Sequence, residues 1–230
     1  MRNPQKRVAD ENYFKKDFWI QQNLLYSKPN FRARKCARLV NQMSQGRPRD
    51  LLDIGCGPAA LRDLLDPNIR YFGIDIALHE PAPYLLELDF AQNPISFHNR
   101  RFDFIVALGV FEFMGQNQSR KFAEIRDILK GDGKLIVSYI NFNFFRTRVS
   151  PYYNNIQSVA EMKENLERVF QVVRCFPASH HWRFRQPGKY AFPAIQMRLN
   201  RSIPLISSWL ALEYFFVCSR LTQTPILGHS

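Results

Sequence analysis

One run of residues constrains this chain more than any other: Leu51-Leu52-Asp53-Ile54-Gly55-Cys56-Gly57-Pro58-Ala59-Ala60. Four residues suited to a buried strand lead straight into a paired-glycine turn, with a helix expected beyond it. Such a turn needs glycine because the backbone must bend sharply and lie against a ligand with no Cβ intervening. Asp75 follows at the end of a second apolar run, Tyr71-Phe72-Gly73-Ile74-Asp75. An acid at that place can accept both hydroxyls of a ribose. Gly55-x-Gly57-x-x-Ala60 also fits a dinucleotide fingerprint, so the motif alone implies an adenosine cofactor without saying which one.

The rest of the chain repeats the same alternation. Strands are expected at Leu51–Ile54, Tyr71–Asp75, Leu85–Phe90, Phe102–Leu108, Gly133–Ile140, Phe170–Phe176 and Glu213–Arg220. Helical spacing appears at Cys36, Leu39, Val40 and Met43, and again at Phe122, Ile125 and Leu129. Helical spacing appears a third time at Val159, Met162, Leu166, Val169 and Phe170, where Ser158 and Glu161 make a capping-box start. Strands alternating with helices build a mostly parallel sheet in a doubly wound α/β fold. Residues 141–155 and 178–212 break that rhythm.

Three further features separate the cofactors. Asp53 lies inside the glycine motif, a second acidic strand end follows at Asp89-Phe90, and the fourth strand runs into Gly109-Val110-Phe111-Glu112-Phe113-Met114. With these, residues 50–140 resemble the class I S-adenosylmethionine-dependent methyltransferases, in particular their broad small-molecule group. The resemblance implies a Rossmann-like, seven-stranded, mostly parallel sheet with a reversed last strand, here preceded by an N-terminal helical cap. It implies S-adenosylmethionine as cofactor and an enzyme that methylates oxygen or nitrogen. It places Gly55 and Gly57 at the methionine part, with Asp53 and Cys56 of the same motif in the cofactor site. Asp75 would hold the ribose with Ile76 against the adenine, Asp89 and Phe90 would frame the adenine edge, and the Leu108 carbonyl would meet the amino group. The chain departs from the family pattern at Ala59, often a third glycine, and at Phe113, often a histidine. Glu112 reads as a helix-start residue rather than a catalyst.

One domain is expected: a cap over 1–48, a cofactor-binding core over 49–140, and an acceptor-side region with the last two strands over 141–230. The reacting end of such a sheet lies beyond the carboxyl ends of its strands. Ser179-His180-His181-Trp182 reaches that side, and His180 or His181 is the candidate general base, set against a plain surface or structural pair. Tyr152 and Tyr153 are poorer bases and shape the pocket, while Tyr13, Phe14, Phe18 and Trp19 read as a helical lid or a packing stripe. No histidine, cysteine or acid cluster has metal-ligand spacing, so no metal is expected.

Net charge is +12 overall, and it divides unevenly: +8 over residues 1–50, −3 over 51–140 and +7 over 141–230. Arg146, Arg148, Arg183, Arg185 and Lys189 sit among aromatic residues on the acceptor side, which suits an anionic acceptor, small or carrier-linked. A solvated basic surface is the plainer reading of such runs. Nucleic acid is a weaker alternative partner. Base-methylation motifs are lacking, so an RNA methyltransferase ranks second, followed by a regulatory subunit that binds cofactor without turnover. The apolar stretch from Ile203 to Cys218 is too short and interrupted to span a membrane, though it could touch a lipid surface. Without a signal-peptide segment or paired cysteines, a cytoplasmic location is expected.

Overall fold

The computed structural model describes residues 16, 19–20, 28–95, 97, 100–142, 153, 156–183, 196–199 and 211–221. Helix α1 (Phe31–Ser44) precedes strand β1 (Arg49–Ile54). After β1 come β2 (Ile69–Asp75), β3 (Leu85–Glu87), β4 (Phe102–Leu108), α2 (Gln118–Ile128), β5 (Leu129–Ile140), α3 (Val159–Glu167), β6 (Phe170–Arg183), β7 (Gln196–Leu199) and β8 (Ala211–Arg220). The strands form one sheet in the order β3-β2-β1-β4-β5-β8-β6-β7. β1 to β5 pair in parallel, whereas β8 runs antiparallel to both β5 and β6. This is the Rossmann-like sheet with a reversed strand that the sequence resemblance implied. It carries one addition, the short edge strand β7, antiparallel to β6.

The period-two geometry of strands sorts β1 between two faces. Leu52 and Ile54 join a core under α2 and α3, with Phe122, Ile125, Met162 and Leu166. Leu51 joins the opposite core under α1, with Cys36, Ala37 and Val40. α1 starts where Asn30 accepts the Ala33 N–H at 3.0 Å. The expected Ser158–Glu161 capping box starts α3, both of its hydrogen bonds being formed.

Four local expectations need correction. No α-helix follows the glycine turn, only a 3-10 turn over Arg62–Leu64. Ala59 takes a left-handed φ of 57°, which interrupts helical backbone before it can propagate. β3 stops at Glu87, so Asp89 and Phe90 lie in the turn beyond it. β5, expected to begin at Gly133, starts instead at Leu129, a residue with helical spacing in the sequence, and its start is bulged, since Phe102 pairs with Leu129 but Phe104 with Lys134. β7 was not read as a strand. Among the described residues, no helix is long and apolar enough to cross a membrane.

Candidate functional site

A cavity of about 280 Å³ opens at the carboxyl ends of β1, β2 and β4. Strand order reverses here, β2 lying on one side of β1 and β4 on the other, where open α/β sheets place ligands. Asp53, Gly55, Cys56 and Gly57 line it from the first motif. Asp75 and Ile76 line it from the end of β2, Asp89 and Phe90 from the turn after β3, and Leu108 from the end of β4. All nine residues assigned to the cofactor from the sequence therefore meet around one cavity.

Hydrogen bonds from β2 fix the shape of the glycine turn. Gly55 and Cys56 N–H groups donate to the Ile74 carbonyl at 2.8 and 3.1 Å. Gly57 N–H donates to Asp75 Oδ2 at 2.7 Å, and Ala77 N–H donates to Asp75 Oδ1 at 3.0 Å. Gly55 sits at φ +72°, and a Cβ on it would lie 2.5 Å from Val110 Cγ2. Glycine is required there on both counts.

Asp53 is buried and accepts the Tyr71 hydroxyl at 2.8 Å. Burial pushes its carboxyl up to about 7, against the pull of Tyr71 and with a smaller push from Asp75. Burial likewise drives the Cys56 thiol far up, which leaves it inert as a nucleophile. Asp89 Oδ1 accepts the Ala91 and Gln92 N–H groups at 2.9 and 3.3 Å. Beneath Phe90, fully buried Lys121 places its ammonium 4.9 Å from the ring centroid and donates to the Asn93 carbonyl at 2.6 Å. The sequence reading passed over Lys121, a residue whose helical position gives no hint of a buried task.

Arg32 of α1 also went unrecognised. It is the one cation among the described residues lining the cavity. Its Nε lies 2.7 and 2.8 Å from the two carboxylate oxygens of fully buried Glu213. Its Nη1 would lie 2.7 Å from a Cβ on Gly109, which has φ +73°. Glu112, also fully buried, accepts the Ile140 N–H at 2.9 Å through Oε1. Burial raises its carboxyl to about 7, opposed by Arg32 and reinforced by Glu213.

Trp19, Phe113 and Tyr153 complete the lining. Trp19 meets Phe113 edge-on at 5.2 Å between centroids, and Phe113 meets Tyr153 at 5.3 Å. Tyr153 was expected to shape the pocket, and Trp19 to belong to a helical lid or a packing stripe. Tyr13, Phe14, Phe18 and Tyr152 lie outside the described residues, as do Arg146, Arg148, Arg185, Lys189 and 203–210. His180 and His181 stand in β6, where their backbones pair with Leu199 and Arg198 of β7; their side chains, like that of Arg183, lie outside the described residues. Among the described residues, no group of three or more histidines, cysteines or acids could hold a metal ion.

A family model described as a methyltransferase domain matches residues 30–192. No curated protein matches the chain. Among solved structures, it resembles a S-adenosylmethionine-dependent methyltransferase from Clostridium acetobutylicum, with a TM-score of 0.60 and 12% identity over 90% of this chain and 98% of that one. It also resembles the Haloferax volcanii complex of the Trm112 methyltransferase activator with a putative methyltransferase, at TM-score 0.59 and 17% identity over 94% and 100%. A third is the 1,6-didemethyltoxoflavin-N1-methyltransferase of Burkholderia thailandensis, with bound 1,6-didemethyltoxoflavin and S-adenosylhomocysteine. There the TM-score is 0.56 at 14% identity over 96% and 94%. At these identities the likeness is one of fold.

Proposed function

This chain belongs to the methyltransferase domain family, and from that premise we propose that it methylates an oxygen, or a nitrogen, of a small or carrier-linked anionic acceptor. It is an enzyme, and its methyl donor is S-adenosylmethionine. The donor supplies a methyl group already made electrophilic by a sulfonium, so this chain's residues have to hold, align and deprotonate.

The observation that carries the reading is the double engagement of Asp75. Gly57 and Ala77 each donate an N–H to one of its oxygens, which fixes the carboxylate at the end of β2 against the cavity, the place from which an acid accepts ribose hydroxyls. Asp89 suits the adenine amino group, with Phe90 and Ile76 against the ring. Gly55 and Gly57 leave space for the methionine part, the Leu108 carbonyl suits the α-ammonium, and Arg32 suits the α-carboxylate. For the acceptor's proton we assign His180 or His181, histidine being the residue type suited to general-base work near neutral pH.

The anionic acceptor rests on the basic flanks, net +8 and +7, of which the donor draws only on Arg32. Those same flanks favour a second reading, methylation of RNA.

Calorimetry with S-adenosylmethionine and S-adenosylhomocysteine tests the donor site. Binding of either supports the assignment, and binding of neither sinks it. Gly55→Ala should weaken both by at least about tenfold, because the added Cβ collides with Val110 on a left-handed backbone. Replacing the true base, His180→Asn or His181→Asn, should cost about 10²–10⁴ in rate with cofactor affinity intact. Near-full rates in both variants would place the base elsewhere.

A further inference from the structure

The two ends of the cavity differ in chemistry. On the β2 and β3 side stand Asp75 and Asp89, with their backbone donors. On the β4 and β5 side stand Trp19, Phe113 and Tyr153, and Val110, Met114 and Ile140 line the cavity from the same strand ends. The ring contacts continue behind that wall. Tyr153 meets Phe142 at 5.3 Å with 69° between planes, and Phe142 meets Tyr139 at 5.6 Å and 75°. Tyr139 is fully buried, and its hydroxyl accepts the Gln157 N–H at 3.1 Å. The wall is thus anchored in the core from the end of β5, and its rings are held at fixed inclinations: 89° between Trp19 and Phe113, 47° between Phe113 and Tyr153.

From this we infer that the acceptor is a planar unsaturated ring compound that lies against Trp19, Phe113 and Tyr153, with its methylated oxygen or nitrogen on or in that ring. The inference rests on the methyl-transfer reading and narrows its acceptor. Inclined rings at these centroid distances are the arrangement in which one more π-system finds both faces and edges to meet. A thioether such as that of Met114 adds a further favourable contact with a ring. A saccharide fits this end poorly. Among the described residues this end is lined mainly by carbon, and many of a saccharide's hydroxyls would lose their hydrogen bonds to water without a match there. A deprotonated oxygen or nitrogen conjugated to a ring spreads its negative charge into that ring, which accords with the anionic acceptor proposed above. In the transfer, a lone pair on the acceptor atom forms the new bond to the methyl carbon. The carbon–sulfur bond breaks, its electron pair returns to sulfur, and the acceptor's proton leaves to the base or to solvent.

The test uses the full chain with methyl-labelled S-adenosylmethionine and a panel of hydroxylated and amino-substituted arenes and heteroarenes with one or more fused rings. Each is paired with its hydrogenated counterpart, 4-hydroxybenzoate with 4-hydroxycyclohexanecarboxylate among them. At least one arene should take up label about tenfold faster than its counterpart, the scale that aromatic contacts supply. Phe113→Leu and Tyr153→Leu should each remove most of that preference, with S-adenosylhomocysteine affinity held within roughly threefold, and Tyr153→Phe should retain it. Equal or faster labelling of the hydrogenated compounds overturns the inference, and so does a protein that binds S-adenosylhomocysteine but labels no arene. A protein that fails to bind S-adenosylhomocysteine overturns the methyl-transfer reading instead.

Discussion

Glu112 shows how a single buried side chain couples pH to this fold. Its carboxyl stands at about 7 in the folded chain, against 4.5 for an ordinary glutamate. Between those values the unfolded chain has lost the proton while the folded chain keeps it, so stability falls as pH rises from about 4.5 to about 7 and is level in this respect above that. Glu112→Gln keeps an acceptor for the Ile140 N–H and removes the titration. Its unfolding free energy should decline less over that interval, by on the order of 2–3 kcal/mol at the upper end. Urea denaturation at a series of pH values measures this, and parallel profiles for the two proteins would refute it. Asp53 contributes a slope of the same sign and remains in the variant. Gly55 and Asp75 were singled out by type and spacing, and both line the cavity. Arg32, Lys121 and Glu112 were not, because their importance comes from burial against partners distant in sequence, Glu213 and Phe90 among them.

Elements were legible where their signals are local. The Ser158–Glu161 capping box fixes the start of α3 within a few residues of chain, and it forms as read. Ser158→Ala should cost about 1 kcal/mol of stability. It should leave S-adenosylhomocysteine affinity unchanged, since neither Ser158 nor Glu161 lines the cavity. A drop in cofactor affinity matching the stability loss would mean that α3 and the site are more tightly coupled than their separation suggests. Elements set by pairing were harder to read. β7 exists through the register His180 to Leu199, and the bulged start of β5 follows from Phe102 pairing with Leu129. The helix expected after Gly57 fails for a backbone reason, the left-handed Ala59, which residue type alone does not announce. The turn there is held instead by the Asp75 carboxylate, so the site relies on side-chain anchoring where a helix N-terminus was anticipated.

At the scale of the molecule, charge and chain order carry the remaining consequences. The net +12 should make kcat/KM for an anionic acceptor fall as salt rises, with the effect concentrated in acceptor rather than cofactor KM. A small acceptor gives a shallow dependence, whereas RNA binding gives a steep logarithmic slope in proportion to the phosphates neutralised. Salt-independent kcat/KM would reduce the flanks to a solvated basic surface. The order of strands has a kinetic counterpart. β8 follows every other strand in sequence yet stands between β5 and β6, with Ile140 paired to Glu213 on one side and Phe176 to Phe215 on the other. β6 and β7 consequently join the sheet only through a strand that arrives after them, at the cost of closing a long loop. Their amides are therefore tied to the opening of β8. In hydrogen exchange, protection along the β6 edge can rise no higher than that of β8, while β1 to β4 remain free to hold their protons longer.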